Sequence, residues 1–182
     1  FKVFSCKYVF LNDKVIAESK QHCPIYGYYG GKYQKEELWR IYFPKRTSYR
    51  FLSHYPAKKL QCFEQLPKTG KLVVITKSQK DCMTLYSLGI PACAPCSENI
   101  LPSQSIIDEL TRRFTYVVAL WDNDLPGISN LNKIHKLYAK VHCTYIPRSY
   151  EAKDISDFYA KYGRDKTKEL IIQYLTWLKN GQ

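Results

Sequence analysis

Phe114-Thr115-Tyr116-Val117-Val118-Ala119-Leu120-Trp121-Asp122-Asn123-Asp124-Leu125-Pro126-Gly127 is an apolar run that ends abruptly in two carboxylates and a turn. A continuous apolar run of this length predicts a parallel strand covered on both faces, and such sheets bind ligands beyond the carboxyl ends of their strands. Asp122 and Asp124 fall at that end. Side chains two apart point the same way from an extended backbone, so both carboxylates can reach one hard cation such as Mg²⁺. The same residues also read as a strand-to-helix turn whose acids cap the next helix.

Outward from this stretch, short apolar strands alternate with helical segments. Lys71 to Thr76, Ile90 to Pro95, Tyr116 to Trp121 and Val141 to Ile146 are the expected strands. Gln79 to Leu88, Ser103 to Arg113 and Gly127 to Lys140 are the expected helices, with Ser103 or Ser105 and Ser129 as N-caps and Gly89 as a helix stop. The alternation predicts an α/β fold, a parallel sheet flanked by helices and joined by right-handed crossovers. A last helix, Asp165 to Asn180, places Leu170, Ile171, Tyr174, Leu175 and Leu178 on one face that should dock on the sheet or on the preceding subdomain.

Upstream, residues 1 to about 65 read as a small β-rich subdomain. Tyr8 to Leu11 and Lys14 to Ala17 flank an Asn12-Asp13 turn, and Gly30-Gly31 opens the approach to a strand from Leu38 to Phe43. In that strand Trp39, Ile41 and Phe43 share a core face, while Arg40 and Tyr42 share the other, with Lys45, Arg46 and Arg50 close behind. The basic face suits phosphates or a stacked base, although a solvated sheet surface has the same composition. Pro67-Lys68-Thr69-Gly70 marks the boundary, giving units 1–66, 67–160 and a C-terminal helix, 161–182.

The net charge of +12, from 28 Lys and Arg against 16 Asp and Glu, points to a polyanionic partner, with nucleic acid foremost. A membrane-surface helix is disfavoured because the basic residues are spread along the chain, and no apolar run approaches a membrane span. The odd number of cysteines, seven, suits reduced core thiols in an intracellular, cytoplasmic setting better than a disulfide framework. Cys93 and Cys96 have zinc-like spacing but lack a second pair and fall on an expected strand, which favours core packing. The start at Phe1, with neither signal peptide nor initiator Met, suggests an excised fragment.

Three polar clusters carrying acids follow expected strands: Thr76-Lys77-Ser78-Gln79-Lys80-Asp81, Trp121-Asp122-Asn123-Asp124 and Ala152-Lys153-Asp154-Ile155-Ser156-Asp157. A strand, polar turn and helix, then a strand ending in Asp-x-Asp with a following Gly, resembles the Toprim domain shared by primases, topoisomerases and some nucleases. The closer resemblance is to phage-type primases, including those fused to helicases, from about Ile25 to Phe158. It is carried by Ile75-Thr76-Lys77-Ser78-Gln79-Lys80-Asp81, Asp122-Asn123-Asp124-Leu125-Pro126-Gly127 and Lys153-Asp154-Ile155-Ser156-Asp157. The resemblance implies a Toprim fold behind a β-rich subdomain and template-directed synthesis of short RNA primers on single-stranded DNA from nucleoside triphosphates. It implies Mg²⁺, with Mn²⁺ as the alternative, held by Asp122 and Asp124, with Asp154 and Asp81 at the family's further acidic positions. A replicative helicase in the same or another chain is an expected partner, and a host cytoplasm the location if the chain is phage-encoded.

The sequence departs from this pattern at Lys77, where the family carries Glu. A cation cannot coordinate Mg²⁺, but Lys77 can hold a triphosphate or DNA phosphate near a helix N-terminus, with Lys80 beside it. Glu98, after the second strand, is the candidate replacement carboxylate. Asp81, three residues after Ser78, also fits a capping box that needs no ligand. Two other functions therefore stand beside a primase polymerase core: a catalytically impaired Toprim module that only binds nucleic acid, and a Toprim-type nuclease that hydrolyses the phosphodiester it binds.

Overall fold

The computed structural model describes residues 1–56, 59–97 and 100–180, which fall into two units, Phe1–Lys59 and Leu60–Gln182. In the first, strands β1 (Lys2–Ser5), β4 (Tyr26–Tyr33), β5 (Glu36–Tyr42) and β6 (Phe51–His54) form an antiparallel sheet in that order. Strands β2 (Tyr8–Leu11) and β3 (Lys14–Glu18) make a separate hairpin. Asn12 and Asp13 both adopt positive φ, 49° and 61°, as the expected two-residue turn requires. Gly30 and Gly31 do not precede a strand. They lie inside β4, where the register shifts between Tyr29 and Lys32, and Gly31 takes a φ of +96° that side chains resist. Val9, Ile25 and Phe43 form the core of this unit, flanked by Cys6, Ala17, Ile41 and Leu52.

The second unit contains β7 (Leu60–Gln61), β8 (Gly70–Thr76), α1 (Gln79–Ser87), β9 (Ala92–Pro95), α2 (Gln104–Arg113), β10 (Phe114–Trp121), α3 (Leu125–Leu137), β11 (Val141–Tyr145) and α4 (Ile155–Asn180). The sheet order is β11-β10-β8-β9-β7, parallel except for β7, which runs antiparallel to β9. Alternation along the strands sorts the core onto two faces. Val73, Ile75, Val117, Ala119 and Trp121 pack with Ile107 and Leu110 of α2 and with Leu131 and Ile134 of α3. Val74 and Leu120 pack with Cys82 and Leu85 of α1 and with Phe158, Leu170 and Ile171 of α4. The last helix thus docks on the sheet.

The unit boundary precedes the turn at Pro67–Gly70, because Leu60 and Gln61 are both buried and add an edge strand to the second sheet. No break separates residue 160 from 161; α4 instead kinks at Gly163, whose φ of 78° leaves the helical range. Ser129 lies inside α3, and Asp124 takes the N-cap that Ser129 was expected to hold. Gly89, at φ +78°, follows α1 as its stop. All seven cysteines are free; Cys93 is buried within β9, the core role expected for it. No helix among the described residues is long and apolar enough to cross a membrane.

Candidate active site

Strands β8 and β10 are neighbours, yet the helices that follow them, α1 and α3, pack on opposite faces of the sheet. The chain therefore diverges at their carboxyl ends and leaves the crevice in which open α/β sheets bind ligands. Lys77 follows β8 at that crevice and Asp122 follows β10. Lys77 Nζ donates to Asp122 Oδ2 at 2.6 Å, with both side chains largely buried.

Asp124 serves two functions with its two oxygens. Its Oδ1 accepts the Gly127 N–H at 2.8 Å and caps α3, while Oδ2 lies 2.9 Å from Lys153 Nζ. The helix cap thus uses one oxygen of Asp124 and leaves the other to a charged partner. Gly127 allows the helix to begin this close to the strand end: a Cβ there would sit 2.2 Å from the Asp122 carbonyl oxygen. Partial burial pushes the Asp124 carboxyl up, but the Lys153 ammonium and the Gly127 N–H outweigh it and hold the group below its ordinary value.

Lys153 Nζ also lies 3.3 Å from Asp122 Oδ2, so one ammonium bridges the carboxylates. Its hydrogen bond to Asp124 is the largest cause raising the Lys153 pKa, with Asp122 adding to it. In the sequence Lys153 is one member of the Lys153–Asp157 cluster with no role of its own, and its place beside Asp154 is the only signal of one. Asn123 likewise has no role legible there. Its side-chain amide donates to the carbonyls of Ile146 and Ala152, both at 2.9 Å, and its backbone N–H donates to the Lys153 carbonyl at 3.2 Å. Asn123 therefore ties the segment carrying Lys153 to the end of β10.

The remaining acids do not join this pair. Asp81 is buried, and its oxygens accept from Ser78 Oγ at 2.7 Å and Ser156 Oγ at 2.6 Å, while its own N–H donates to Ser78 Oγ. This is the capping arrangement, extended to pin α1 to the start of α4. Burial, with Asp154 nearby, raises the Asp81 pKa against the lowering effect of both hydroxyls. Asp154 accepts the Asp157 N–H through Oδ1 and lies 3.2 Å from Lys80 Nζ through Oδ2; Lys80 also pairs with Asp157 at 3.5 Å. Lys80 is thus held by acids. Burial lowers its pKa, but Asp154 overrides this and leaves it raised. Glu98 lies outside the described residues.

Among the described residues, no three His, Cys, Asp or Glu side chains form a group that could hold a metal. Of the expected ligands, Asp122 and Asp124 share a cationic partner, whereas Asp81 and Asp154 are engaged with Ser78, Ser156 and Lys80. The first two still fit a hard divalent cation, because their oxygens already converge on one positive centre, the Lys153 ammonium. Mg²⁺ commonly takes one or two carboxylates and completes its shell with water and phosphate.

In the first unit, Tyr26, Tyr42 and Phe51 occupy one register row and Tyr28 and Arg40 the adjacent row, on the sheet face opposite Ile41 and Leu52. Tyr42 stacks on Phe51 with centroids 4.8 Å apart and rings 16° from parallel, and Tyr28 follows at 6.5 Å from Tyr42. The Arg40 guanidinium lies 4.3 Å from the Phe51 ring, and Arg50 donates to the Tyr42 hydroxyl at 2.7 Å. Lys45 and Arg46 are separate from this face: they line a surface hollow with Pro24, Ile25 and Phe43, and Arg46 stacks 3.7 Å from the Phe43 ring.

No family model and no curated protein sequence matches the chain. Solved structures do. The primase fragment of the bacteriophage T7 primase-helicase protein is similar over 84% of this chain and 64% of its own, at 13% identity and a TM-score of 0.59. A DNA primase domain from Pseudomonas aeruginosa is similar over 92% and 56%, at 15% identity and 0.62. The DnaG primase catalytic domain bound to single-stranded DNA is similar over 92% and 57%, at 12% identity and 0.61. The chain therefore spans less than two thirds of the length of each.

Proposed function

This chain has the fold of a Toprim-type primase core, and on that premise we propose that it is a divalent-cation-dependent nucleotidyltransferase making short RNA primers on single-stranded DNA. The observation that carries this reading is the convergence of Asp122 and Asp124 on one cation at the crevice between β8 and β10. Bound Mg²⁺, or Mn²⁺ in its place, would supply charge neutralisation to the triphosphate and to the departing pyrophosphate. The chain's own residues would do the rest. Asp122 and Asp124 would bind the ion, and Gly127 would keep Asp124 aimed at it through the helix cap. Lys77 would fix the Asp122 carboxylate; its 2.6 Å contact with that carboxylate supports this over a phosphate-binding role. The aromatic and arginine face of the first unit would take template bases and phosphates. We place the reaction in a cytoplasm, with a replicative helicase as the partner of primer synthesis.

The test is synthesis of labelled oligoribonucleotides by this chain on single-stranded DNA with all four ribonucleoside triphosphates and Mg²⁺ or Mn²⁺. Asp122→Asn and Asp124→Asn should each abolish the product while the variants stay folded, as read by far-UV circular dichroism. Wild-type product from both variants at low Mg²⁺ would remove the metal assignment. A second reading, a nucleic-acid-binding module without chemistry, draws on Lys77 standing against Asp122 where the resemblance to primases implies Glu. Tight DNA binding with no product under either metal would favour it; metal-dependent DNA cleavage without triphosphates would favour a nuclease.

A further inference from the structure

Two lysines meet the same oxygen, Asp122 Oδ2, in different surroundings. Lys77 is 16% exposed against a carboxylate that is 4% exposed, whereas the Lys153 side chain is 52% exposed. Removing Lys77 from Asp122 would strip a buried carboxylate of its closest partner. Lys153 exchanges a half-exposed ion pair for water, which costs little. Its backbone does not have to move, because Asn123 holds the Lys153 and Ala152 carbonyls while the side chain swings on its flexible four-carbon stem.

We propose that Lys153 is a positioning residue whose ammonium occupies the seat between Asp122 and Asp124 until a divalent cation displaces it. The proposal rests on the reading that these two carboxylates hold the ion. While the seat lacks a metal, the ammonium keeps two carboxylates converged that would otherwise repel each other, since it lies within 3.3 Å of one and 2.9 Å of the other. Cation binding is then an exchange of one positive group for another, and the apparent affinity is lowered by the fraction of molecules with Lys153 in place. Lys77 and Lys153 thereby divide the work: one holds Asp122 permanently, and the other reserves the site and leaves it. Once displaced, Lys153 remains tethered at the rim of the crevice, where its charge can meet the phosphates that accompany the metal.

The test is a Mn²⁺ titration of the whole chain, reading the free hexaaqua ion by electron paramagnetic resonance. Lys153→Gln should bind Mn²⁺ more tightly than wild type, by about tenfold or more, the scale of removing one charge a few ångströms from the ion at a partly buried site. Lys153→Arg, which retains a competing cation, should stay near wild type. Lys140→Gln, at the opposite end of the strands, should also stay near wild type. Unchanged or weaker binding by Lys153→Gln overturns the proposal, as does equal tightening by Lys140→Gln, which would mark a general charge effect. The underlying metal reading has its own control: Asp122→Asn and Asp124→Asn must weaken Mn²⁺ binding, and wild-type affinity in both would defeat that reading whatever Lys153 does.

Discussion

Asp122 is 3% exposed, and the ammonium of Lys77 lies 2.6 Å from it. Truncating Lys77 leaves this buried carboxylate with only the half-exposed Lys153 ammonium, so Lys77→Ala should lower stability by about 1–3 kcal/mol. Combining it with Asp122→Asn should recover part of that loss, since the double variant buries no charge. Urea unfolding of the four proteins in the cycle measures this, and strictly additive losses would show that the pair is not coupled. Asp81 provides a pH test. Burial raises its folded pKa above the unfolded value, near 3.8, so the folded state holds its proton more tightly. The sign follows: Asp81's contribution is most favourable below the unfolded value and declines as pH rises through the folded one. Asp81→Asn lacks that decline, so stability measured from about pH 3.5 to 6 should shift against wild type, relative to the variant, as pH increases. A difference independent of pH would contradict the raised pKa.

The junction of β10 and α3 puts both acids in place through backbone geometry. Asp122 terminates the strand, Asp124 caps the helix, and Gly127 lets the two elements approach; its Cβ would meet the Asp122 carbonyl at 2.2 Å. Gly127→Ala should therefore push the start of α3 away and lose about 1–3 kcal/mol, the range for forced overpacking. It should also weaken Mn²⁺ binding, because Asp124 moves with the helix. Wild-type stability and metal affinity in Gly127→Ala would show that the helix start yields freely. The segment after β11 depends similarly on Asn123. Asn123→Ala removes two hydrogen bonds to backbone carbonyls and should raise amide hydrogen exchange across residues 147–153 more than in the sheet strands.

For the molecule as a whole, the net charge of +12 makes strong salt dependence the expected signature of the proposed binding to single-stranded nucleic acid. Where charge and stacking act can be separated. Arg40→Gln with Arg50→Gln should reduce the log-log salt slope by roughly 0.7 for each phosphate that is no longer neutralised. Phe51→Ala removes a stacking surface without charge, so it should weaken binding to an oligonucleotide and leave both the slope and binding to an abasic strand unchanged. Equal weakening on both strands would assign the Phe51 effect to folding. Lys45 and Arg46, set beside Phe43 away from the aromatic face, serve as the comparison pair.

The alternation of apolar strands and helices from Gly70 to Tyr145 was legible in the sequence chiefly because β8, β9 and β10 carry buried runs covered on both faces, and burial of that kind writes an uninterrupted apolar stretch. The Asp122–Asp124 end of β10 was legible for the same reason, and the β2–β3 hairpin through its Asn12-Asp13 turn, whose residues tolerate the positive φ it needs. Short edge strands were not: Leu60–Gln61 is too brief for periodicity to register, yet together with Cys62 and Leu66 it belongs to the second unit, ahead of Pro67. Nor did spacing distinguish Ser129 from Asp124 as the cap, since several polar residues offer an acceptor near the helix start and only the turn geometry selects one. Partnership among charges is the deepest division. Asp81, Asp122, Asp124 and Asp154 look alike as acids after strands, but their neighbours come from residues far along the chain. Tertiary packing placed Ser156 on Asp81, Lys80 on Asp154, and Lys77 and Lys153 on Asp122. Electrostatic pairing decays over a few ångströms of space, and one-dimensional spacing carries no record of which distant side chains the fold brings within that range.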